Sequence, residues 1–375
     1  MIVHQLKTNQ STGWNFDLLP SGEFDYQLIL VFGSRFLLQD AAWYHSLAKQ
    51  FPDAHIVSLS TSGNIFKEEV DDDTLVANFI QLEKTKVRTL VTNVAQQVSS
   101  FEAGVEIAAH LKGDDLCHVM IFSDGAKVNG SELVRGLSKD LNVPVTGGLA
   151  GDGARFEKTL VGLDSPPTEG NIVGIGFYGS NLSVGYSHFG GWDSFGPERI
   201  VTRSEGNILF ELDGKSALEL YKTYLGEKAK ELPGSALLFP LSMRQDATSN
   251  NLTRTILSIR EDGGMVFAGE MPEGSTVQLM KANFERLIDA SSMAAETSFE
   301  KMQLGAELAI LISCVGRKLV LGQRVEEEVE AVRDVLGPNP TMSGFYSYGE
   351  ISSIVGTPGC ELHNQTMTIT VFKEV

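Results

Sequence analysis

A strand, a helix, a second strand and a glycine-containing loop follow one another three times in this chain. The first copy spans residues 28–64, the second spans 118–152 and the third spans 308–350. In each copy, the last glycine is followed by one polar residue, namely Asn64, Asp152 or Glu350. Strands joined by helices need crossover connections, which favour mixed sheets covered by helices. A repeated α/β unit with a polar loop at a strand end is a common way to build a ligand pocket.

The second and third copies belong to a longer duplication, because the elements around them occur in the same order. Residues 88–177 and residues 276–372 both predict a strand, a helix, the copy itself and a closing strand. Between them, apolar and polar residues alternate over 182–212, and aromatic side chains are frequent. This pattern is typical of antiparallel strands. We therefore predict an α/β (mixed α+β) fold of duplicated strand–helix–strand units. Mixed sheets covered by helices would form two related halves with a β-rich middle segment.

The chain divides into three parts on this pattern. Residues 1–25 show little pattern and are predicted to be an N-terminal lead-in. Residues 26–225 are predicted to form an N-terminal module that ends in a helix over 217–225, and residues 226–375 a C-terminal module. Residues 255–268 carry a turn signal between two apolar runs and predict a hairpin.

Charge and cysteine content restrict the classes of partner. The net charge of −18 argues against nucleic acid and anionic membranes, because their phosphates would be repelled. The three cysteines, Cys117, Cys314 and Cys360, are odd in number and form no CxxC pair, so we expect a reducing compartment and no disulfide framework. The chain has neither a signal-peptide pattern nor a run of 18 apolar residues. A cytoplasmic protein without a membrane partner is expected.

Common catalytic and nucleotide-binding motifs are missing or misplaced. Residues 174–179 match GxGxxG, but they lie within a strand pattern and no helix follows. Neither HExxH nor GxSxG occurs. We therefore expect no enzyme. The alternative is a hydrolase that uses the carboxylates of Asp124, Asp152 and Glu350 as acid and base.

The loop over residues 147–153 holds four glycines in seven residues. Gly148 and Gly151 are candidate ligand-binding residues, because glycines allow a ligand close to the backbone. A tight turn or close sheet packing explains them equally well. Asp152 and Arg155 could bind the amine and the carboxylate of a zwitterion, or pair with each other on the surface.

The matching loop of the third copy carries Tyr346, Tyr348 and Glu350. On a continuous strand these side chains point to one face. Two aromatic rings beside a carboxylate suit a small ligand with an apolar body and a cationic group. The competing interpretation is a half-buried strand with solvated hydroxyl groups.

His188 lies among aromatic residues and glycines, in the segment 188–192. Such a setting could hold an axial histidine of haem. A single histidine near aromatic rings is more often packed or hydrogen-bonded. The CxxH spacing of Cys360 and His363 has no second pair, so a structural zinc site is not expected.

Several ordered motifs together resemble the FIST sensory family, with its N-terminal and C-terminal modules. The resemblance covers residues 28–372 and rests on the segments 60–63, 122–125, 147–153, 190–193, 344–350 and 362–366. It implies a sensor of small ligands, with amino acids the ligands usually proposed. It also implies, for one subgroup, haem proteins that sense nitric oxide. Asn364, in the last motif, joins the candidate ligand-binding residues, and His363 is the second candidate axial ligand after His188.

The resemblance also bears on partners. We see no kinase, cyclase or DNA-binding segment in the sequence, so a sensor of this kind must act on a separate protein. The family implies a histidine kinase or a cyclic-di-GMP enzyme in trans, and a homodimer is one expected oligomeric state. A haem-bound, nitric-oxide-responsive sensor is the first expectation, and a haem-free sensor of an amino acid or similar metabolite is the alternative. A pure scaffold that binds no small molecule is the remaining class.

Overall fold

The computed structural model describes residues 1–10, 13–232, 234–246, 251–300, 302, 305–354 and 359–375. Its helices are α1 (Arg35–Leu38), α2 (Ala42–Gln50), α3 (Ser100–Leu111), α4 (Gly130–Ser138), α5 (Ala217–Leu225), α6 (Phe284–Phe299), α7 (Val315–Leu321) and α8 (Val325–Leu336). Its strands as far as residue 189 are β1 (Ile2–Thr8), β2 (Leu28–Gly33), β3 (His55–Ser60), β4 (Asn64–Phe66), β5 (Glu69–Asp71), β6 (Leu75–Gln81), β7 (Lys86–Asn93), β8 (Leu116–Ser123), β9 (Val145–Leu149), β10 (Val161–Leu163), β11 (Asn171–Tyr178) and β12 (Leu182–Phe189). The later strands are β13 (Asp193–Glu205), β14 (Ile208–Leu212), β15 (Lys215–Ser216), β16 (Leu241–Arg244), β17 (Leu252–Arg254), β18 (Ile256–Ile259), β19 (Met265–Phe267), β20 (Thr276–Lys281), β21 (Leu308–Cys314), β22 (Thr341–Ser347), β23 (Gly349–Ser353), β24 (Cys360–His363) and β25 (Met367–Glu374).

Each of the three sequence copies forms the centre of its own sheet. The two strands of a copy pair in parallel, as β2–β3, β8–β9 and β21–β22. An antiparallel strand that comes later in the chain pairs with the first of them, namely β6, β11 or β25. A further antiparallel strand lies outside that one, namely β1, β7 or β12. The three sheets therefore share one plan, and the predicted fold class is confirmed.

In each sheet, the second strand of the copy pairs on its other side with a strand that follows a different copy. The hairpin β4–β5, which follows the first copy, pairs with β22 of the third. The hairpin β23–β24, which follows the third copy, pairs with β9 of the second. Strand β10, which follows the second copy, pairs with β3 of the first. This cyclic exchange of strands holds the loops at the carboxyl ends of the three copies against one another.

The inner faces of the three sheets meet in a common apolar core. Phe32, Phe122 and Phe345 contribute one ring from each sheet, and their centroids lie 5.0–6.1 Å apart. A Cβ atom at Gly148 would lie 2.8 Å from Cγ2 of Ile312, so glycine is required there by close packing between sheets. Helices cover the outer faces, with α3 and α4 on the second sheet and α6 and α8 on the third.

A fourth sheet is formed by the middle of the chain and the start of the second half. Its strand order is β17-β16-β20-β13-β14-β19-β18, with β15 beside β14, and its pairings are antiparallel. The predicted antiparallel middle segment and the hairpin β18–β19 are confirmed. The predicted helix over 217–225 matches α5 at both ends.

The segment 1–25, predicted only as a lead-in with little pattern, contains a strand, because Ile2–Thr8 forms β1 along the full length of β6. Gln5 Nε2 donates to Asn78 Oδ1 at 2.8 Å across this pair. The strand is half-buried and its partner lies about 70 residues away in the chain, so local apolar alternation gave no signal.

Helix length and the state of the cysteines concern the membrane and disulfide predictions. Among the described residues, no helix is both long enough and apolar enough to cross a bilayer. All three cysteines are free, with Cys314 and Cys360 buried and Cys117 half-buried.

Candidate functional site

One cavity of about 630 Å³ is lined by residues from all three copies. Its principal side chains are Arg35 and Ser62 from the first copy, Asp152 from the end of the second copy and Arg155 just after it, and Lys318 from the third, with Asp72 and Asp73 from the turn after β5. The cavity lies beyond the carboxyl ends of parallel strands, where α/β sheets usually bind their ligands. Its volume falls in the usual range for small-molecule pockets, roughly 300–1,000 Å³.

Direct hydrogen bonds hold the three loops together around this cavity. Ser62 Oγ accepts from the amide of Gly153 at 3.1 Å, and the Ser62 amide donates to the carbonyl of Tyr346 at 2.8 Å. The amide of Tyr348 donates to the carbonyl of Leu149 at 3.1 Å. The cavity wall is therefore a joint product of the strand exchange.

Asp152 is the most heavily hydrogen-bonded side chain of the site, and it is buried. Its carboxylate receives bonds from the amides of Phe156 (3.0 Å), Lys158 (3.1 Å) and Glu157 (3.3 Å), from Tyr348 Oη, and pairs with Arg35 Nη1 (3.3 Å). These donors occupy the carboxylate, so it orients the loop instead of offering a free anion to a ligand. The alternative of a surface pair with Arg155 also fails, because Arg155 Nη1 donates to the backbone carbonyl of Asp152.

Arg35 was not singled out from the sequence, although it is the buried cation of this cavity, with 8% of its surface exposed. Its Nη2 reaches Glu157 at 3.4 Å, and its buried Nε has no hydrogen-bond partner among the residues described. The guanidinium lies 4.8 Å from the ring centroid of Phe36, and the guanidinium of the exposed Arg155 lies 4.9 Å from the same centroid. Its position just after Gly33 and Ser34, at the end of the first strand, is the signal that could have found it.

The remaining charges of the cavity include one paired cation and one unpaired acid. Lys318 Nζ donates to the carbonyl of Ser62 at 2.8 Å and also binds the carboxylate of Asp72. Asp73 is exposed and has no hydrogen-bond or ion-pair partner within the described part of the chain. Cationic and acidic groups thus face one volume, which suits a ligand carrying both charges.

The three candidates of the third loop do not share one face. Strand β22 ends at Ser347 and β23 begins at Gly349, so the chain passes from one sheet to another at Tyr348. Tyr346 Oη donates to Glu328 Oε1 at 2.7 Å, within a buried ion pair of Glu328 and Arg317. Tyr348 turns instead to Asp152. The predicted pairing of two rings with a carboxylate is therefore not formed.

The polar residues after the last glycine of the first and third copies are buried and make hydrogen bonds within the protein. Asn64 Oδ1 accepts from Thr61 Oγ1 at 2.7 Å, and its Nδ2 donates to the Thr74 carbonyl at 2.9 Å. Glu350 Oε1 accepts from Ser347 Oγ at 2.6 Å, and its Oε2 accepts from Thr366 Oγ1 at 2.9 Å. Both are fully buried and tie their loop to the start of the returning antiparallel strand. Burial raises the pKa of Glu350 to about 8.

Close packing also accounts for the second glycine of interest. A Cβ atom at Gly151 would lie 2.3 Å from Ser62 Oγ, closer than any real contact. Of the two explanations left open for Gly148 and Gly151, the geometry therefore favours loop and sheet packing. Asp124 is likewise internal, because its carboxylate accepts from the amides of Ala126, Lys127 and Gly170, each at 2.7 Å.

The two candidate axial histidines contact each other. The rings of His188 and His363 stack with centroids 3.7 Å apart and an interplanar angle of 29°. Burial lowers the pKa of His188 to about 4 and holds the pKa of His363 well below its usual value. Stacked rings cannot bind opposite faces of one iron, and neither ring lines the 630 Å³ cavity. This arrangement does not fit haem ligation.

Asn364 lies beside His363 and is separate from the 630 Å³ cavity. Its side chain is 1% exposed, and neither its oxygen nor its nitrogen has a partner among the described residues. The structure therefore gathers Asp152 and Arg155 in the cavity. It places Tyr346, Glu350, Asn364 and the histidines elsewhere.

A second cavity, of about 430 Å³, lies on the other side of the Asp152 loop. Phe156 and Tyr348 form its wall, and their rings stack at 4.6 Å with an interplanar angle of 20°. Phe156 has a φ of 55°, which is uncommon for a bulky residue. The amide of Phe156 donates to both Asp152 Oδ1 and Tyr348 Oη, each at 3.0 Å, and these bonds hold the strained backbone in place.

Comparison with known proteins agrees with the organisation of the chain. A model of the FIST N domain matches residues 27–215, and a model of the FIST C domain matches residues 217–353. The chain is also 23% identical, over 320 residues, to an uncharacterized protein, MJ1623, of Methanocaldococcus jannaschii. That alignment covers 77% of this chain and 60% of the archaeal protein, so the chain spans less than two thirds of its relative.

Proposed function

The chain belongs to the FIST family, and on that premise we propose that it is a sensor whose small ligand binds in the 630 Å³ cavity. The observation that carries the proposal is the state of Arg35. A buried guanidinium is costly unless its donors are used, and Arg35 Nε has no partner among the described residues. A ligand oxyanion that engages the guanidinium from the cavity would offset the cost of this buried charge.

The charge pattern favours an amino acid or a similar small metabolite. A carboxylate would bind between Arg35 and Arg155, since both guanidinium groups lie against the ring of Phe36. A ligand ammonium group would face Asp73, which has no partner in the described residues, and Asp72. This assignment differs from the sequence-based prediction, because Asp152 is already occupied by its own loop.

The same contacts suggest how binding is transmitted. A ligand carboxylate that engages Arg35 competes with Asp152 for the guanidinium, which weakens the hold of Asp152 on residues 156–158. The strained Phe156 then leaves the Tyr348 ring and changes the wall of the 430 Å³ cavity. Ligand binding would thereby shift the population of two loop conformations.

The output would be read by a separate protein. From the family resemblance we propose a histidine kinase or a cyclic-di-GMP enzyme as that partner, with the surface around Phe156 as the contact that changes. The ligand would be bound and released without chemical turnover.

Hydrogen exchange tests this proposal directly. We would add each of the twenty common amino acids to the protein and follow amide exchange in peptides covering residues 152–158. A binding amino acid is expected to speed exchange there in the wild type but not in Arg35→Gln. A ligand that binds tightly and leaves this exchange unchanged would refute the switching mechanism.

Haem binding and a response to nitric oxide stay predictions from the resemblance. Protein expressed with a haem supply and showing a stoichiometric Soret band that shifts with nitric oxide would support them. His188→Ala and His363→Ala would then test the two proposed ligands, whose present stacking would have to change. A colourless protein that fails to take up added haem would leave the metabolite sensor as the proposal.

A further inference from the structure

A third cavity, of about 520 Å³, lies between α4 of the second copy and the strands β16, β17 and β24. It is separate from the proposed sensor cavity and shares no residue with it. Its charged and hydroxyl-bearing lining consists of Ser131, Arg135, Ser138, Lys139, Arg254, Glu270 and Glu361. The family comparison assigns no role to these residues.

Arg254 is the central group of this cavity, and it is 4% exposed. Its Nη1 donates to the carbonyls of Leu362 at 3.1 Å and Thr253 at 3.4 Å, and its Nε donates to the carbonyl of Glu270 at 3.3 Å. A Cβ atom at Gly269 would lie 2.9 Å from the guanidinium carbon, so the chain leaves room for this group. The backbone thus holds the guanidinium in a fixed position.

The guanidinium forms no close ion pair within the described part of the chain, although the negative charges of Glu361 and Glu270 act on it from a longer distance. Among the described residues, no carboxylate oxygen lies within 4.0 Å of Arg254, and its Nη2 makes no hydrogen bond. Burial lowers the pKa of Arg254 to about 10, so it remains a cation at neutral pH. Buried arginines are normally paired, and an unused donor beside a cavity indicates a missing oxyanion.

Two further polar atoms of the lining are unused. Ser131 is 7% exposed, and its Oγ has no partner among the described residues; the same holds for the buried Oε2 of Glu361. Glu270, in contrast, is paired with Arg135 at 3.2 Å. Arg254 Nη2 is therefore an unused donor beside the cavity, and two of the lining residues, Ser131 and Glu361, each hold a buried polar atom without a partner among the described residues.

We infer that this cavity is a second ligand site, which binds a small 2-hydroxycarboxylate. The carboxylate would accept from Arg254 Nη2 and Ser131 Oγ, and the hydroxyl would donate to Glu361 Oε2. A multiply charged phosphate is disfavoured, because two carboxylates, those of Glu361 and Glu270, face the same volume. The site is independent of the sensor cavity and does not rest on the sensor proposal.

The test uses full-length protein labelled with ¹⁵N-arginine and titrated with glycolate, acetate or inorganic phosphate, at ionic strength matched with KCl. The Nε–Hε resonance of Arg254, assigned by its loss in Arg254→Lys, is expected to move with glycolate and to saturate. Acetate, which lacks the hydroxyl, is expected to bind more weakly than glycolate, and phosphate more weakly still. Ser131→Ala should weaken glycolate binding about five- to tenfold, the effect of one hydrogen bond.

Glu361→Gln separates recognition of the hydroxyl from general attraction of anions. The preference for glycolate over acetate is expected to shrink in this variant, while Arg35→Gln should leave glycolate binding unchanged. Two results would overturn the inference: an Arg254 resonance that does not move with glycolate, or equal shifts for glycolate and acetate in both wild type and Glu361→Gln. Neither result bears on the sensor cavity, which Arg35→Gln tests separately.

Discussion

Tyr348 donates its hydroxyl hydrogen to the carboxylate of Asp152, a residue 196 positions earlier in the chain. The bond joins the loop of the third copy to the loop of the second, and Arg35 adds the first copy through its ion pair with the same carboxylate. All three copies thus meet at one buried side chain. Because Asp152 also holds the backbone of residues 156–158, a change at Arg35 can reach Phe156 and the cavity behind it.

Removing the Tyr348 hydroxyl tests this junction. Tyr348→Phe should lower the free energy of unfolding by about 1.5–3 kcal/mol, because a buried carboxylate loses one donor. It should also speed hydrogen exchange at Phe156, whose amide uses the same hydroxyl as an acceptor. Tyr44→Phe is the matched control, since its hydroxyl has no hydrogen-bond partner among the described residues. Equal denaturation midpoints for the two variants would count against the junction.

Close packing between two sheets predicts that adding a single methyl group at Gly148 lowers the stability of the protein. Gly148→Ala should destabilise the protein by about 1–3 kcal/mol, because the new methyl group collides with Ile312 across two sheets. Gly234→Ala is the control, since nothing lies within 4 Å of the corresponding Cβ position. Urea denaturation of both variants measures the difference. A wild-type midpoint for Gly148→Ala would show that the glycine serves another purpose, such as close approach of a ligand.

The raised pKa of Glu350 predicts that the stability of the folded protein falls as the pH rises. Its pKa is raised by burial to about 8 in the folded protein, against 4.5 for the free side chain. The unfolded chain therefore releases this proton first, and the stabilising contribution is full below pH 4.5 and is lost as the pH rises to about 8. Glu350→Gln has no such proton, so its melting temperature should fall less than that of the wild type over this range.

The control for that measurement is Glu330→Gln, on the exposed face of α8, for which the pH dependence should follow the wild type. Parallel curves of melting temperature against pH for wild type and Glu350→Gln would contradict a raised pKa.

Local sequence patterns predict most of the helices and strands, but they do not predict how the strands of the three copies pair with one another. The apolar stripe of α8 and the serine cap of α5 are contained within single segments, so both helices could be delimited from sequence. The strand exchange could not, because it pairs residues such as Ile65 and Gly344 across most of the chain. The lead-in strand β1 was missed for the same reason.

Only some of the candidate site residues line the cavity, and the fold explains why the others do not. Asp152, in the glycine loop, and Arg155, two residues after that loop, both line the cavity. Tyr346 and Glu350 were grouped with Tyr348 on the assumption of a continuous strand, which the change of sheet at Tyr348 breaks. Arg35 carries no motif, and its importance follows from burial without a full set of partners, which only the folded chain displays.

The central claim is that the 630 Å³ cavity binds a small zwitterionic ligand through Arg35. The most direct measurement is a thermal-shift screen of the twenty common amino acids on wild type, Arg35→Gln and the surface control Arg244→Gln. At least one amino acid should raise the melting temperature of wild type and Arg244→Gln, by an amount equivalent to about 2.7 kcal/mol at one hundred times its dissociation constant. Arg35→Gln should show no shift. A shift of equal size in Arg35→Gln, or no shift with any amino acid in the wild type, would contradict the claim.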